Sequence, residues 1–217
     1  MVGAGMVLSL WGLLMLQVAP PLMQRVPRQW AAVCLSALRV LCGVTIRVEG
    51  IENMPRGAAI IAAQHQSALD ILILLTALPA PAFVMKQELL KIPLFGDLLL
   101  PAGNISVDRD GAAPALRKMV TECRARLAAG RQVVIFPEGT RVASGVRAAL
   151  QPGVVAIARA TAAPVIPLST DSGLRWGPRA FGKTPGIVTI RLWPPLPAGL
   201  RREEIIAALE GAFYCEE

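Results

Sequence analysis

From residue 44 onward, short apolar runs rich in Val and Ile alternate with longer stretches of helical period. The runs predict strands over 45–49, 58–63, 82–85, 104–107, 133–136, 165–168 and 187–192. The longer stretches predict helices over 67–78, 112–129, 153–160 and 203–213, with Gly130 placed to cap the second of them. Strands interleaved with helices are the pattern of an α/β layer fold, so a single mixed-sheet domain flanked by helices is expected over 44–217. Two segments, 94–101 and 170–185, are rich in Gly, Pro or Arg and read as functional loops within that domain, not as linkers between domains.

The first 43 residues break this pattern. No charged side chain occurs before Arg25, and the run VGAGMVLSLWGLLMLQVA is apolar enough, and nearly long enough, to span a bilayer before Pro20 and Pro21 stop it. A cleaved signal peptide is not expected, because a positive n-region is lacking. A second apolar stretch, 30–46, carries Arg39, with Arg25 and Arg28 in the expected linker between the two. Either the first stretch spans and the second lies on the surface, or both form a hairpin in one leaflet, or both are core helices. The first alternatives are favoured because the leading stretch has no polar face. A membrane-associated segment over 1–43 is therefore expected, at the cytoplasmic face of the inner membrane, and deletion of 2–43 is expected to cripple activity toward lipid in vesicles while largely sparing the fold.

Charge narrows the partners. With 22 Lys and Arg against 15 Asp and Glu, the chain favours anions such as acidic lipid headgroups, phosphorylated substrates or coenzyme A. Nucleic acid would call for aromatics interleaved with basic residues, and 5% aromatics without such a stripe argue against it. The four cysteines, Cys34, Cys42, Cys123 and Cys215, have no metal-ligand spacing and read as reduced and structural. The single histidine, His65, is then the one possible carrier of imidazole chemistry.

In QHQSALDILIL, His65 and Asp70 stand five apart, which in a continuous helix separates them by about 140°. They can meet only through a bend. Ser67 supplies one: Ser-x-x-Asp before an apolar run reads as a capping box, with His65 in the loop folded back onto Asp70. A carboxylate that fixes the imidazole tautomer is what a general base needs, although a structural histidine fits the same residues. A second cluster, VVIFPEGTR, ends a strand in Glu138, Gly139, Thr140 and Arg141, where α/β folds place ligand groups; a plain polar turn is the alternative. A third, GNISVDRD, ends a run in Asp108 and Arg109, a guanidinium suited to phosphate.

HQSALD, GNISVDR, FPEGTR and PVIPL occur in the order and approximate spacing of the four blocks of the glycerolipid acyltransferase family, which this chain resembles over roughly residues 48–196. The connecting run MKQELLKIPLFGDLLLPAG is similar to the bacterial branch that acylates lysophosphatidic acid. The resemblance implies that His65 is the base and Asp70 its partner. It implies an acceptor site including Glu138, Gly139 and Thr140, with Lys86, Arg109 and Arg141 as candidates for the acceptor phosphate. It further implies transfer from acyl-coenzyme A or acyl carrier protein to the sn-2 hydroxyl of 1-acyl-glycerol 3-phosphate, giving phosphatidic acid, with no metal or other cofactor. Three positions depart from the family's usual pattern: Ser106 replaces an aromatic, Val142 a serine, and Gln151–Pro152 a basic pair before Gly153. The last implies fewer cationic contacts to phosphate and leaves another lysophospholipid or a lyso-aminolipid open as acceptor.

Two rival readings carry less. Gly177-Pro-Arg-Ala-Phe-Gly-Lys-Thr184 matches the P-loop string, but Pro185 and a strand-like run follow it where a helix should open. Arg175, Arg179 and Lys183 in that loop can face a membrane or the donor phosphates, or simply water. A non-catalytic lipid-binding protein has no use for His65, Asp70 and Glu138 together.

Overall fold

The computed structural model describes residues 25–93, 95–109 and 111–214. The leading apolar stretch, 1–24, lies outside them, and among the described residues no helix is long and apolar enough to cross a membrane. The elements in chain order are α1 Arg25–Cys42, β1 Val44–Glu49, β2 Ala59–Ala63, α2 Ala68–Ala77, β3 Pro81–Lys86, α3 Gly96–Leu99, β4 Ile105–Val107, α4 Ala112–Ala128, β5 Gln132–Ile135, α5 Gly153–Ala160, β6 Val165–Thr170, β7 Gly186–Leu192 and α6 Arg202–Tyr214.

The strands form one sheet in the order β1-β7-β6-β2-β5-β3-β4. Neighbours pair in parallel except β6 with β7, so β6, β2, β5, β3 and β4 run one way and β7 and β1 the other. The central strand β2, AIIAA, is buried throughout, as a parallel strand covered on both faces must be. Alternation sends its residues to two cores. Ala59, Ile61 and Ala63 join α1 and α2 on one face. Ile60 and Ala62 join α4, α5 and α6 on the other. The register aligns Ile61 with Val134 on one side and Ile166 on the other, so the carboxyl ends of β2, β5 and β6 emerge together.

Helix α4 stops where expected. Gly130 adopts φ 76°, its N–H donates to Leu127 O (2.9 Å), and Arg131 N donates to Arg126 O (3.1 Å), which closes a Schellman turn in the left-handed conformation that glycine tolerates best.

The N-terminal region differs from expectation. Among the described residues helix α1 covers Arg25–Cys42, so that the stretch read as a linker is helical and 44–46 belong to β1 and not to an apolar helix. Its apolar residues recur at helical spacing: Val26, Ala31 and Leu38 are buried, and Trp30, Cys34 and Leu35 pack beside them on the core. Arg25, Arg28 and Arg39 are exposed, Arg28 donating to Thr76 O of α2 (2.8 Å), and the mixed sequence had obscured the amphipathic period. Truncation at residue 43 would therefore uncover the core under α1, which weighs against the expectation that the fold is largely spared.

Candidate active site

Beyond β2 the chain keeps its alternation for three residues. Gln64 Oε1 accepts from Thr170 N (3.2 Å) and Gln66 Oε1 from Gly173 N (3.1 Å), so the two glutamines clamp the end of β6 while His65 points elsewhere. Ser67 then turns the chain in extended conformation and caps α2: its Oγ accepts from Leu69 N (3.2 Å), and Asp70 reaches back to Ser67 N (2.8 Å). This is the capping box expected from the sequence.

The bend folds His65 onto Asp70, with Nδ1 3.0 Å from Oδ2. The same oxygen accepts from Gln66 N (2.8 Å) and Ser67 N (2.8 Å). The other oxygen accepts from the hydroxyls of Ser172, in a short contact, and Thr170, at 3.4 Å. Asp70 is only 2% exposed, and both of its oxygens are occupied by these partners. An acceptor at Nδ1 selects the tautomer with the proton on that nitrogen and leaves Nε2 with a lone pair. The ring stacks on Phe136, centroids 4.0 Å apart, yet 13% of the side chain stays open. It is held in place and still reachable.

The turn after β5 supplies the opposite wall. Glu138, buried, accepts from His65 N at Oε2 (2.6 Å) and from the Tyr214 hydroxyl at Oε1 (3.1 Å). Burial pushes its carboxyl up from the ordinary range, against the downward pull of those two hydrogen bonds, and the charge of Asp70 adds to the rise. Gly139 takes φ 71°, and a Cβ there would meet Gln151 Cγ at 3.3 Å. Its N–H donates to Phe136 O (3.0 Å) and Val142 N donates to His65 O (2.8 Å). Both amides are thus spent within the fold, and the Gly139 N–H is not a free oxyanion donor.

Arg109, at the end of β4, donates to Gly139 O across a short contact. It joins Glu138, Gly139 and Thr140 around a cavity of about 540 Å³ that is also lined by the apolar side chains of Met85, Val107, Leu116, Met119 and Phe136. A polar cavity of about 460 Å³ lies on the other flank, bounded by Gln64, Gln66, Thr170, Tyr214 and Arg147. Two candidates stand apart from both. Lys86 pairs with Glu88 (2.7 Å), and Arg141 is exposed.

The sequence model of the family described as Acyltransferase matches residues 45–171. The chain belongs to the acyltransferase family. It is 31% identical over 204 residues to the 1-acyl-sn-glycerol-3-phosphate acyltransferase of Pseudomonas aeruginosa, covering 92% of this chain and 79% of that one. It is 28% identical to the enzyme of the same name from Limnanthes alba, covering 86% and 67%. The crystal structure of the 1-acyl-sn-glycerophosphate acyltransferase PlsC from Thermotoga maritima superimposes with a TM-score of 0.72 at 26% identity, covering 95% of this chain and 84% of that one.

Within this acyltransferase fold, the P-loop-like string lies in the loop between a 3-10 turn at Ser172–Leu174 and β7, and it runs into a strand. Of the cysteines, Cys34 and Cys42 are free and half-buried, and Cys123 is free and buried, its thiol pushed up to about 12 by desolvation. Sequence reasoning missed Phe136, Thr170, Ser172 and Tyr214. Thr170 and Ser172 open a loop already marked as functional, whereas nothing in the sequence joins Tyr214 to Glu138.

Proposed function

We propose that the protein transfers a fatty acyl group from a thioester to the sn-2 hydroxyl of 1-acyl-glycerol 3-phosphate, giving phosphatidic acid. The observation that carries this reading is the His65 and Asp70 pair, its carboxylate saturated with donors; the His65 contacts Phe136 and Glu138 line the apolar cavity, its chain neighbours Gln64 and Gln66 line the polar one, and the names of the relatives agree with the reading. His65 Nε2 takes the proton of the acceptor hydroxyl as its oxygen attacks the thioester carbonyl, and Asp70 stabilises the resulting imidazolium. Collapse of the tetrahedral adduct breaks the C–S bond, and the imidazolium returns the proton to the leaving sulfur. All atoms are then accounted for without an acyl-enzyme, metal or redox group.

The apolar cavity suits a fatty chain, and Arg109 at its rim offers the guanidinium geometry that phosphate prefers. The donor is acyl-coenzyme A or acyl carrier protein, and the reaction takes place at the cytoplasmic face of the inner membrane, where a single-chain acceptor already resides. The test is product analysis with palmitoyl-coenzyme A and palmitoyl carrier protein against lysophosphatidic acid, lysophosphatidylcholine and a lyso-aminolipid. Phosphatidic acid as the dominant product supports the assignment. Preference for another acceptor, which the Gln151–Pro152 departure makes worth including, overturns the acceptor and leaves the chemistry.

A further inference from the structure

The loop over 175–185 is organised by its own side chains. Trp176 Nε1 donates to Ala180 O (2.9 Å), Thr184 N to Arg175 O (2.9 Å) and Lys183 Nζ to Phe181 O (2.7 Å). The Lys183 ammonium also stands over the rings of Trp176, at 4.4 Å, and Phe181, at 5.1 Å. Trp176 packs against the core on the α1 and α2 face, so it anchors the loop. Phe181 instead projects outward, 94% exposed, the most open of the large apolar side chains among the described residues.

Water is a poor solvent for that ring, and the surroundings suggest another. From Ser172 to Ile190 the sequence contains Arg175, Arg179 and Lys183 and no Asp or Glu, while Asp171 before it accepts from Thr189 N (2.7 Å) and Arg191 after it pairs with Glu49 (2.8 Å). The base of the loop touches the end of α1, where Gly186 N donates to Gly43 O (3.0 Å). There Val40 and Leu41 are each 80% exposed beside Arg39, and no acidic residue precedes Glu49 in the chain. Apolar tips among cations, with aromatic rings at their base, match the boundary between headgroups and acyl chains of an anionic bilayer. The uncharged run over 1–24, which leads into α1, points to the same partner.

We propose that the loop over 175–185 is a membrane-docking wedge: Phe181 enters the acyl boundary while Arg179 and Lys183 meet lipid phosphates. The proposal rests on the reading of the protein as a membrane-surface acyltransferase and gives it a second contact besides the N-terminus. It also ties docking to the site, because Ser172 holds Asp70 and Gly173 holds Gln66, immediately before the loop. Seating the loop on lipid steadies the segment that supports the carboxylate.

Hydrogen exchange on the full chain, detergent-purified and then bound to vesicles, tests the wedge directly. With phosphatidylglycerol-containing vesicles the amides of 177–184 are expected to exchange at least about fivefold more slowly than in detergent, an opening equilibrium shifted by lipid contact. Phe181→Ser is expected to remove that protection and to raise the KM for vesicle-presented acceptor by a similar factor, leaving turnover of detergent-dispersed acceptor unchanged. Unchanged exchange in vesicle-bound protein overturns the proposal, as does protection produced by acyl carrier protein without vesicles. If wild-type protein turns over no acceptor even in detergent, the acyltransferase reading fails, while the exchange result still decides what the loop binds.

Discussion

Glu138 shows how burial sets the behaviour of one side chain. Its folded pKa lies above the unfolded value, with desolvation the leading cause. Its contribution to stability is therefore fully present below the ordinary carboxylate pKa and is lost as pH rises through the raised folded value. Glu138→Gln stays neutral and keeps an oxygen for His65 N, so it escapes that loss. Urea unfolding of both proteins from about pH 4 to about pH 8 is expected to show the wild type's advantage shrinking as pH rises, across the range where a carboxyl titrates. A gap independent of pH would mean that Glu138 titrates normally. The chemistry-bearing residues His65, Asp70, Arg109 and Glu138 were visible in the sequence because they flank apolar runs: His65, Arg109 and Glu138 follow β-rich ones and Asp70 precedes a helical one. The partners of Asp70 and Glu138 were not, since Ser172 and Tyr214 reach them across 102 and 76 residues. Nor was the ion pair with Glu88 that draws Lys86 away from the site.

At the scale of elements, the turn at Ser67 does two separable jobs. Its side chain caps α2 through Leu69 N, whereas its backbone N–H helps to hold Asp70. Ser67→Ala removes the first and keeps the second. The expected result is a stability loss of about 1 kcal/mol in urea unfolding, as for other lost N-caps, with turnover of the same order as wild type. A collapse of turnover with unchanged stability would contradict this division. All seven strands were legible because β-rich runs bounded by turn residues have few other readings. The helical course of 25–42 was not, because an amphipathic helix that carries three arginines looks like a charged linker joined to an apolar stretch. The short helix α3, within a segment read as loop, was missed for its length.

At the scale of the molecule, the sheet gathers the carboxyl ends of β2, β5, β6 and β4 at one edge, and the site lies across them, where open α/β sheets place their ligands. Since α1 completes the core, the membrane reading is tested by removing residues 2–24 and not 2–43. The shorter deletion is expected to leave thermal unfolding unchanged and to lower activity on vesicle-borne acceptor while sparing detergent-dispersed acceptor; equal activity in both formats would place membrane attachment elsewhere. The central claim is that His65 is the base for acyl transfer. Its most direct test is acceptor-dependent thiol release from palmitoyl-coenzyme A, in detergent, by wild type and by His65→Ala, with folding checked by thermal unfolding. The account predicts release that requires lysophosphatidic acid and falls roughly 10²–10⁴-fold in the variant, the range general-base loss entails. A folded His65→Ala protein that releases thiol at the wild-type rate would contradict it.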